Sequence, residues 1–312
     1  MTEKDIYICA CAENGGLYHY KLDAYGRLRF CSETPIDRPM YAAAENDTLY
    51  VLLRAPFRDS EYSALAVLPV TEGGRPGEVQ SLVSTGGTVS AHLCVRGGVV
   101  YTANYVSGSI TKLPDRVVSH NVYANGANAA HPHFVSFTPD GNYIASVDLG
   151  LDTLFVYTAD LEPVSAEKVP AGSGCRHLAF SPEGNLAYCV NEISSDVSVL
   201  AYSDGRFRLL GTYPALPEDF TGYSAAAAVR CTQDFVYVSH RGYNSISRLP
   251  RYGAKLGRAE QIPCGGSWPR DFAVFEDMIL CSNEKSNTVT VINNGRITDE
   301  LTLPSPIAVL GV

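Results

Sequence analysis

The sequence predicts an all-β fold, a seven-bladed β-propeller, on three observations. One phrase recurs seven times: an apolar strand start, a turn, a second strand ending in a short polar cluster, then a third strand. Its starts fall at Tyr41, His92, Phe134, His177, Ala226, Asp271 and Ile307, spaced 36 to 51 residues apart, the length of a four-stranded blade. The seventh copy is split between the two ends of the chain.

That split copy explains the first and last elements together. Ile307 to Leu310 gives its first strand, Ile6 to Cys9 the second and Leu17 to Leu22 the third. Asp23 to Gly26 reads as a turn, with Leu28 to Phe30 starting the fourth strand. A ring completed in this way leaves no unpaired blade edge, which a linear array would. The copy beginning at Tyr41 ends its second strand in Leu53-Arg54 and carries a polar loop at 71–77. The next ends its second strand in Ala103-Asn-Tyr105. The third and fourth copies are the clearest. They read His133 to Gly141 with strands at Tyr143–Val147 and Leu154–Tyr157, then Arg176 to Gly184 with strands at Leu186–Val190 and Val197–Leu200. Thr-Pro-Asp-Gly141 and Ser-Pro-Glu-Gly184 are tight-turn sequences, with proline presetting one φ and glycine free to take positive φ. Val236–Ser239 and Val289–Ile292 are short β-branched or aromatic runs in the remaining copies. No stretch has helical periodicity, so residues 1–312 read as one domain.

Composition narrows the function. The 33 acidic residues outnumber the 24 basic ones without any basic run, which speaks against a nucleic-acid partner. The start, Met-Thr-Glu-Lys-Asp, leads directly into a strand, and no apolar run reaches the length of a membrane span. Nine scattered cysteines form neither a disulfide framework nor a CxxC metal pair. The expectation is a cytoplasmic protein without cofactor or metal.

In a propeller the residue before each innermost strand and the residues ending each second strand share one face. Met40, Ala91, His133, Arg176, Ala225, Arg270 and Pro306 occupy the first set of positions. Cys11, Arg54, Tyr105, Asp148 with Leu149, Glu192, Arg241 and Glu284 occupy the second. Two arginines and a histidine at equivalent inner positions crowd positive charge unless an anion offsets it. The expected partner is therefore a small anionic ligand at the channel mouth.

Each candidate also has a plainer reading. His131-Pro-His133 supplies imidazoles that can move a proton or bind an anion, and it equally fits a solvated turn. Arg176 can grip a carboxylate or phosphate with its planar fork, while Glu192 across the same hairpin is either a base or a salt-bridge partner. Arg241 and Arg270 lie at matching positions in two other blades, which favours convergence over chance. Tyr105 and Asp148 are further candidates for the pocket wall, although packing and turn-capping serve both residues as well. Trp268 either walls the pocket or packs at the rim. A serine hydrolase is excluded by the lack of a G-x-S-x-G elbow, and no glycine-rich phosphate loop leads into a helix.

The phrases His131 to Gly141 with Val-Asp-Leu-Gly150, and Cys175 to Gly184 with Asn191-Glu192, resemble the bacterial propeller lactonase family. Ala103 to Ser109, Ser239 to Gly242 with Ser245-Ile246, and Pro269 to Phe272 match further blades in order. The resemblance weakens between Pro35 and Gly87, where Leu53-Arg54 replaces the usual Asn-Glu pair. That family includes the propeller type of 6-phosphogluconolactonase and the fungal carboxy-muconate lactonizing enzyme. The resemblance implies a seven-bladed fold with histidine, arginine and glutamate as active-site residues: His131 or His133, Arg176 and Glu192. It implies Arg241 and Arg270 as additional anion-binding arginines. The expected activity is hydrolysis of an anionic sugar lactone, 6-phosphogluconolactone first. The alternatives are reversible lactonization of a muconate-type diacid and a non-catalytic binding propeller.

Overall fold

The computed structural model describes residues 2–13, 15–126 and 128–312, excepting the side chain of Ala55. Its strands form seven antiparallel sheets, each a blade. In chain order the blades are 39–84, 90–119, 132–168, 175–214, 225–263 and 269–302, and the seventh joins 306–311 to 4–35. The innermost strands of successive blades touch one another, and that of blade 7 touches that of blade 1, so the ring closes. Pro306–Gly311 pairs antiparallel with Lys4–Ala10, placing Val309 opposite Ile8. Blade 5 carries an extra two-residue strand, Lys255–Leu256, beyond the common four.

The hydrophobic pattern follows from stacking blades face to face. A central strand is covered on both sides, so Ile144–Asp148 and Thr153–Tyr157 are buried at every residue. The outer strands face solvent, and Pro163–Lys168 is exposed or half-buried throughout. The core is accordingly divided into seven clusters, one in each seam between neighbouring blades. Leu154 and Val156 meet Cys189 and Leu200 between blades 3 and 4, for example. The tight turns form as the sequence predicts: Gly141 and Gly184 take φ of 73° and 76° and donate to Thr138 O and Ser181 O.

One local device repeats at the channel mouth. In six blades the ladder between the first and second strands shifts by one residue, leaving Met40, Ala91, His133, Arg176, Arg270 and Ile307 in a β-bulge. A bulged residue gives up its place in the ladder, and its side chain is re-aimed. In five of these blades the residue two positions earlier has a left-handed backbone: Arg38, Val89, Gly174, Trp268 and Ser305. The carbonyls of those five residues accept the backbone N–H of Arg54, Tyr105, Glu192, Glu284 and Cys11. The end of the second strand is thereby tied to the start of the first, which puts both sets of side chains on one face.

Candidate active site

At this face Met40, Arg54, Val89, Ala91, Tyr105, His133, Glu192, Arg241 and Arg270 line a cleft of about 180 Å3. His133, Arg176 and Arg270 are presented by the bulges of blades 3, 4 and 6, and Glu192 and Arg241 by second-strand ends. Arg176 lies beneath the cleft, 2% exposed, and its Nη1 donates to the Ala227 carbonyl.

Glu192 is the electrostatic centre. Its Oε2 is 2.8 Å from Arg241 Nη2 and 3.0 Å from Arg176 Nε. The Arg176 contact is a charge contact rather than a hydrogen bond, because the Nε–H finds no aligned acceptor. Arg270 Nη1 reaches Glu284 Oε2 at 3.1 Å. Four arginines, Arg54, Arg176, Arg241 and Arg270, therefore face two carboxylates around one opening. The excess is positive within a chain whose net charge is −9. Burial, then the neighbouring Arg241, lowers the Arg176 pKa to about 9. An incoming anion would relieve both costs, because it restores solvation-like contacts to the guanidinium.

His133 is equally constrained. It is 6% exposed, and its Nδ1 is buried without a hydrogen-bond partner. Burial first, then Arg176, Arg270 and Arg241, hold its pKa well below the usual imidazole value. The ring is neutral at physiological pH and offers one donor and one acceptor rather than a charge. Below it the channel is filled by His177, whose ring centroid lies 5.1 Å from that of His133, and by His92, 5.3 Å from His177. Tyr105 meets His133 edge-on at 5.6 Å and stacks on His131 at 4.5 Å. His131 thus supports the wall of the cleft from behind Tyr105 and does not line it. Trp268 sits beside the cleft, 5.8 Å from the Arg241 guanidinium and stacked on Tyr223.

Asp148 departs from the expectation that it contacts a ligand. Its carboxylate is fully buried, bonded by His120 Nδ1 at 2.8 Å and by the backbone N–H groups of His131 and Leu151. The register explains the difference. Asp148 pairs with Pro132 as Asn191 pairs with Cys175 and Asn104 with Ser90, and these asparagines are buried pins beneath the loops. The mouth-facing position comes one residue later, where blade 3 has Leu149 and blade 4 has Glu192. The sequence frame places Arg54 in the mouth ring, at that same position in blade 1, but gives it no role of its own; the altered Leu53-Arg54 pair was the signal that it differs. Among the described residues no group of three or more His, Cys, Asp or Glu side chains could hold a metal ion.

This architecture has known counterparts. The model of the family described as "Lactonase, 7-bladed beta-propeller" matches residues 5–309. The chain belongs to this lactonase family. It is 35% identical to a protein named 6-phosphogluconolactonase from Bacillus subtilis (strain 168), over 67% of this chain and 67% of that one. It is 28% identical to an uncharacterized protein of Staphylococcus aureus (strain USA300), covering 93% of this chain and 92% of the other. Among solved structures, a Lactobacillus plantarum protein superposes with a TM-score of 0.86 at 26% identity, covering 100% of both chains. The periplasmic gluconolactonase PpgL of Pseudomonas aeruginosa, at 24% identity, shares the fold with a TM-score of 0.89 over 99% of both chains. The described residues include no helix long and apolar enough to cross a membrane.

Proposed function

We propose that the protein is a lactonase that hydrolyses an anionic sugar lactone, with 6-phosphogluconolactone as the substrate. The observation that carries this reading is the Glu192 carboxylate held between Arg176 and Arg241 in a cleft with surplus positive charge. The B. subtilis relative named for this activity supports the choice of substrate.

Lactone opening needs a base for water, a cation for the tetrahedral oxyanion and a grip on the anionic tail. Glu192 is the base and Arg176 the oxyanion partner, while Arg241 binds the lactone beside them and Arg270 holds the substrate's charge. In the free site the Glu192 carboxylate is occupied by the two guanidiniums of Arg241 and Arg176. When Arg241 turns part of its fork to the substrate, a Glu192 oxygen is freed to meet the attacking water. Water then adds to the lactone carbon as its proton passes to Glu192, and the carbonyl π electrons move to oxygen beside Arg176. Collapse of this intermediate breaks the ring C–O bond, and the proton on Glu192 passes to the departing ring oxygen. Neutral His133 orients the water or the ring oxygen by hydrogen bonding. Nine cysteines without a disulfide fit a reducing, cytoplasmic setting for such an enzyme.

Hydrolysis of freshly generated 6-phosphogluconolactone, followed by proton release, tests the reading. A catalysed rate well above the spontaneous one is expected; a rate equal to the spontaneous one would overturn it.

A further inference from the structure

We propose that Arg54 and Arg270 form a phosphate-monoester subsite across the channel mouth from Glu192, so that the cleft reads its ligand from both ends. The inference rests on the lactonase reading for the identity of the reacting end and on independent geometry for the subsite itself.

Arg54 lies near the end of the second strand of blade 1, Thr48–Pro56, and its N–H donates to Arg38 O at 2.8 Å, which fixes the backbone at the mouth. The side chain lines the cleft and is exposed, and among the described residues no carboxylate pairs with it. Arg270 arrives from blade 6, and its one carboxylate partner is Glu284 at 3.1 Å. Blade 7 lies between them and contributes Cys11. Arg54 and Arg270 both line the same cleft. Burial raises the Cys11 thiol pKa, as does Glu284, while Arg54 and Arg270 both act to lower it.

Charge and topology then divide the mouth in two. Among the described residues Arg270 pairs with one carboxylate, Glu284, and Arg54 with none, while Arg176 and Arg241 both meet the other, Glu192. Blade 1 and blade 4 stand three blades apart, the greatest separation that a ring of seven allows. A ligand reacting beside Glu192 therefore points its far end toward Arg54. Two forks, one of them free of any internal carboxylate, suit a group with three terminal oxygens and up to two negative charges. A phosphate monoester has both, whereas a carboxylate is satisfied by a single fork.

The test is calorimetric titration of the intact chain and of Arg54→Ala and Arg54→Gln with 6-phosphogluconate and with gluconate. The phosphorylated acid should bind the unsubstituted protein about ten- to a hundred-fold more tightly than gluconate, the range for a charged hydrogen-bonding pair. Either substitution should shrink that preference at least about tenfold without lowering the melting temperature. Equal binding of the two acids by the unsubstituted protein, or an undiminished preference in both variants, overturns the subsite. Turnover of the lactone is measured in parallel. A protein that keeps the phosphate preference yet fails to hydrolyse the lactone retains the subsite and loses the lactonase assignment.

Discussion

The Glu192 carboxylate reaches across the seam between blades 4 and 5 to Arg241, with Oε2 and Nη2 2.8 Å apart. Arg241 is held in turn by the carbonyls of Ala225 and Ala226, each at 3.2 Å, so the pair has little freedom to separate unaided. Glu192→Gln removes the proposed base and should lower kcat by about 100- to 10,000-fold. The same change frees two arginines from an internal competitor, so the acid product should bind more tightly. A variant with a lowered melting temperature but unchanged kcat would reduce Glu192 to a blade-pinning role.

Arg176 is expected to act on the transition state. Arg176→Ala should cost about 2–4 kcal/mol in kcat/KM, the scale for an oxyanion partner. Arg176→Lys should restore part of this, because lysine keeps the charge and loses the planar fork. Steady-state kinetics on folded variants, checked by circular dichroism, decides the matter.

Stability should fall as the solution is acidified from neutrality. Burial depresses the pKa values of His92 and His240 to about 3 and holds those of His133 and His177 well below 6.5. The folded state keeps these rings neutral, while the unfolded chain takes up protons below about pH 6.5. Their stabilising contribution is therefore complete above that pH and declines below it, each ring adding a slope of about 1.4 kcal/mol per pH unit. Denaturant titrations between pH 7 and pH 5 should show this decline, and His240→Gln should make it shallower. Equal stability at both pH values would contradict the burial of neutral imidazoles.

Removing residues 305–312 takes away the innermost strand of blade 7 and exposes the ladder edge of Lys4–Ala10. The ring would then lack a strand contacted by both neighbouring blades. The truncated chain should lose cooperative unfolding, as followed by calorimetry. An unchanged melting temperature would refute the closure.

Hydrolysis should survive prolonged dialysis against a chelator, because no ligand cluster stands in the described cleft. Strict dependence on an added divalent ion would require carboxylates to rearrange around it.

The fold was legible because blade strands are short, β-branched and repeated, and because the split copy places Ile307 and Ile6 in neighbouring strands. The shared face of His133, Arg176, Arg241 and Arg270 was legible for the same reason: a repeat fixes geometry without knowledge of contacts. What the repeat could not show is depth. Asp148 and Glu192 both look like polar strand ends, and only the ladder distinguishes the buried pin from the presented side chain. His131 and His133 stand two residues apart, yet one backs Tyr105 while the other enters the cleft. The ion pairs also cross blade seams, as Glu192 to Arg241 does, and seam contacts are invisible to a frame that treats blades one at a time.

The bulges have a consequence for change as well as for function. A residue displaced from its ladder makes no pair that sets the register of the strands that carry it. Met40, Ala91, His133, Arg176, Arg270 and Ile307 thus form a ring of positions outside the ladder, although Met40 and Ile307 also pack in the seam between blades 7 and 1. New chemistry could be installed at Ala91, a small side chain on the cleft wall, while the strands that carry it keep their pairing.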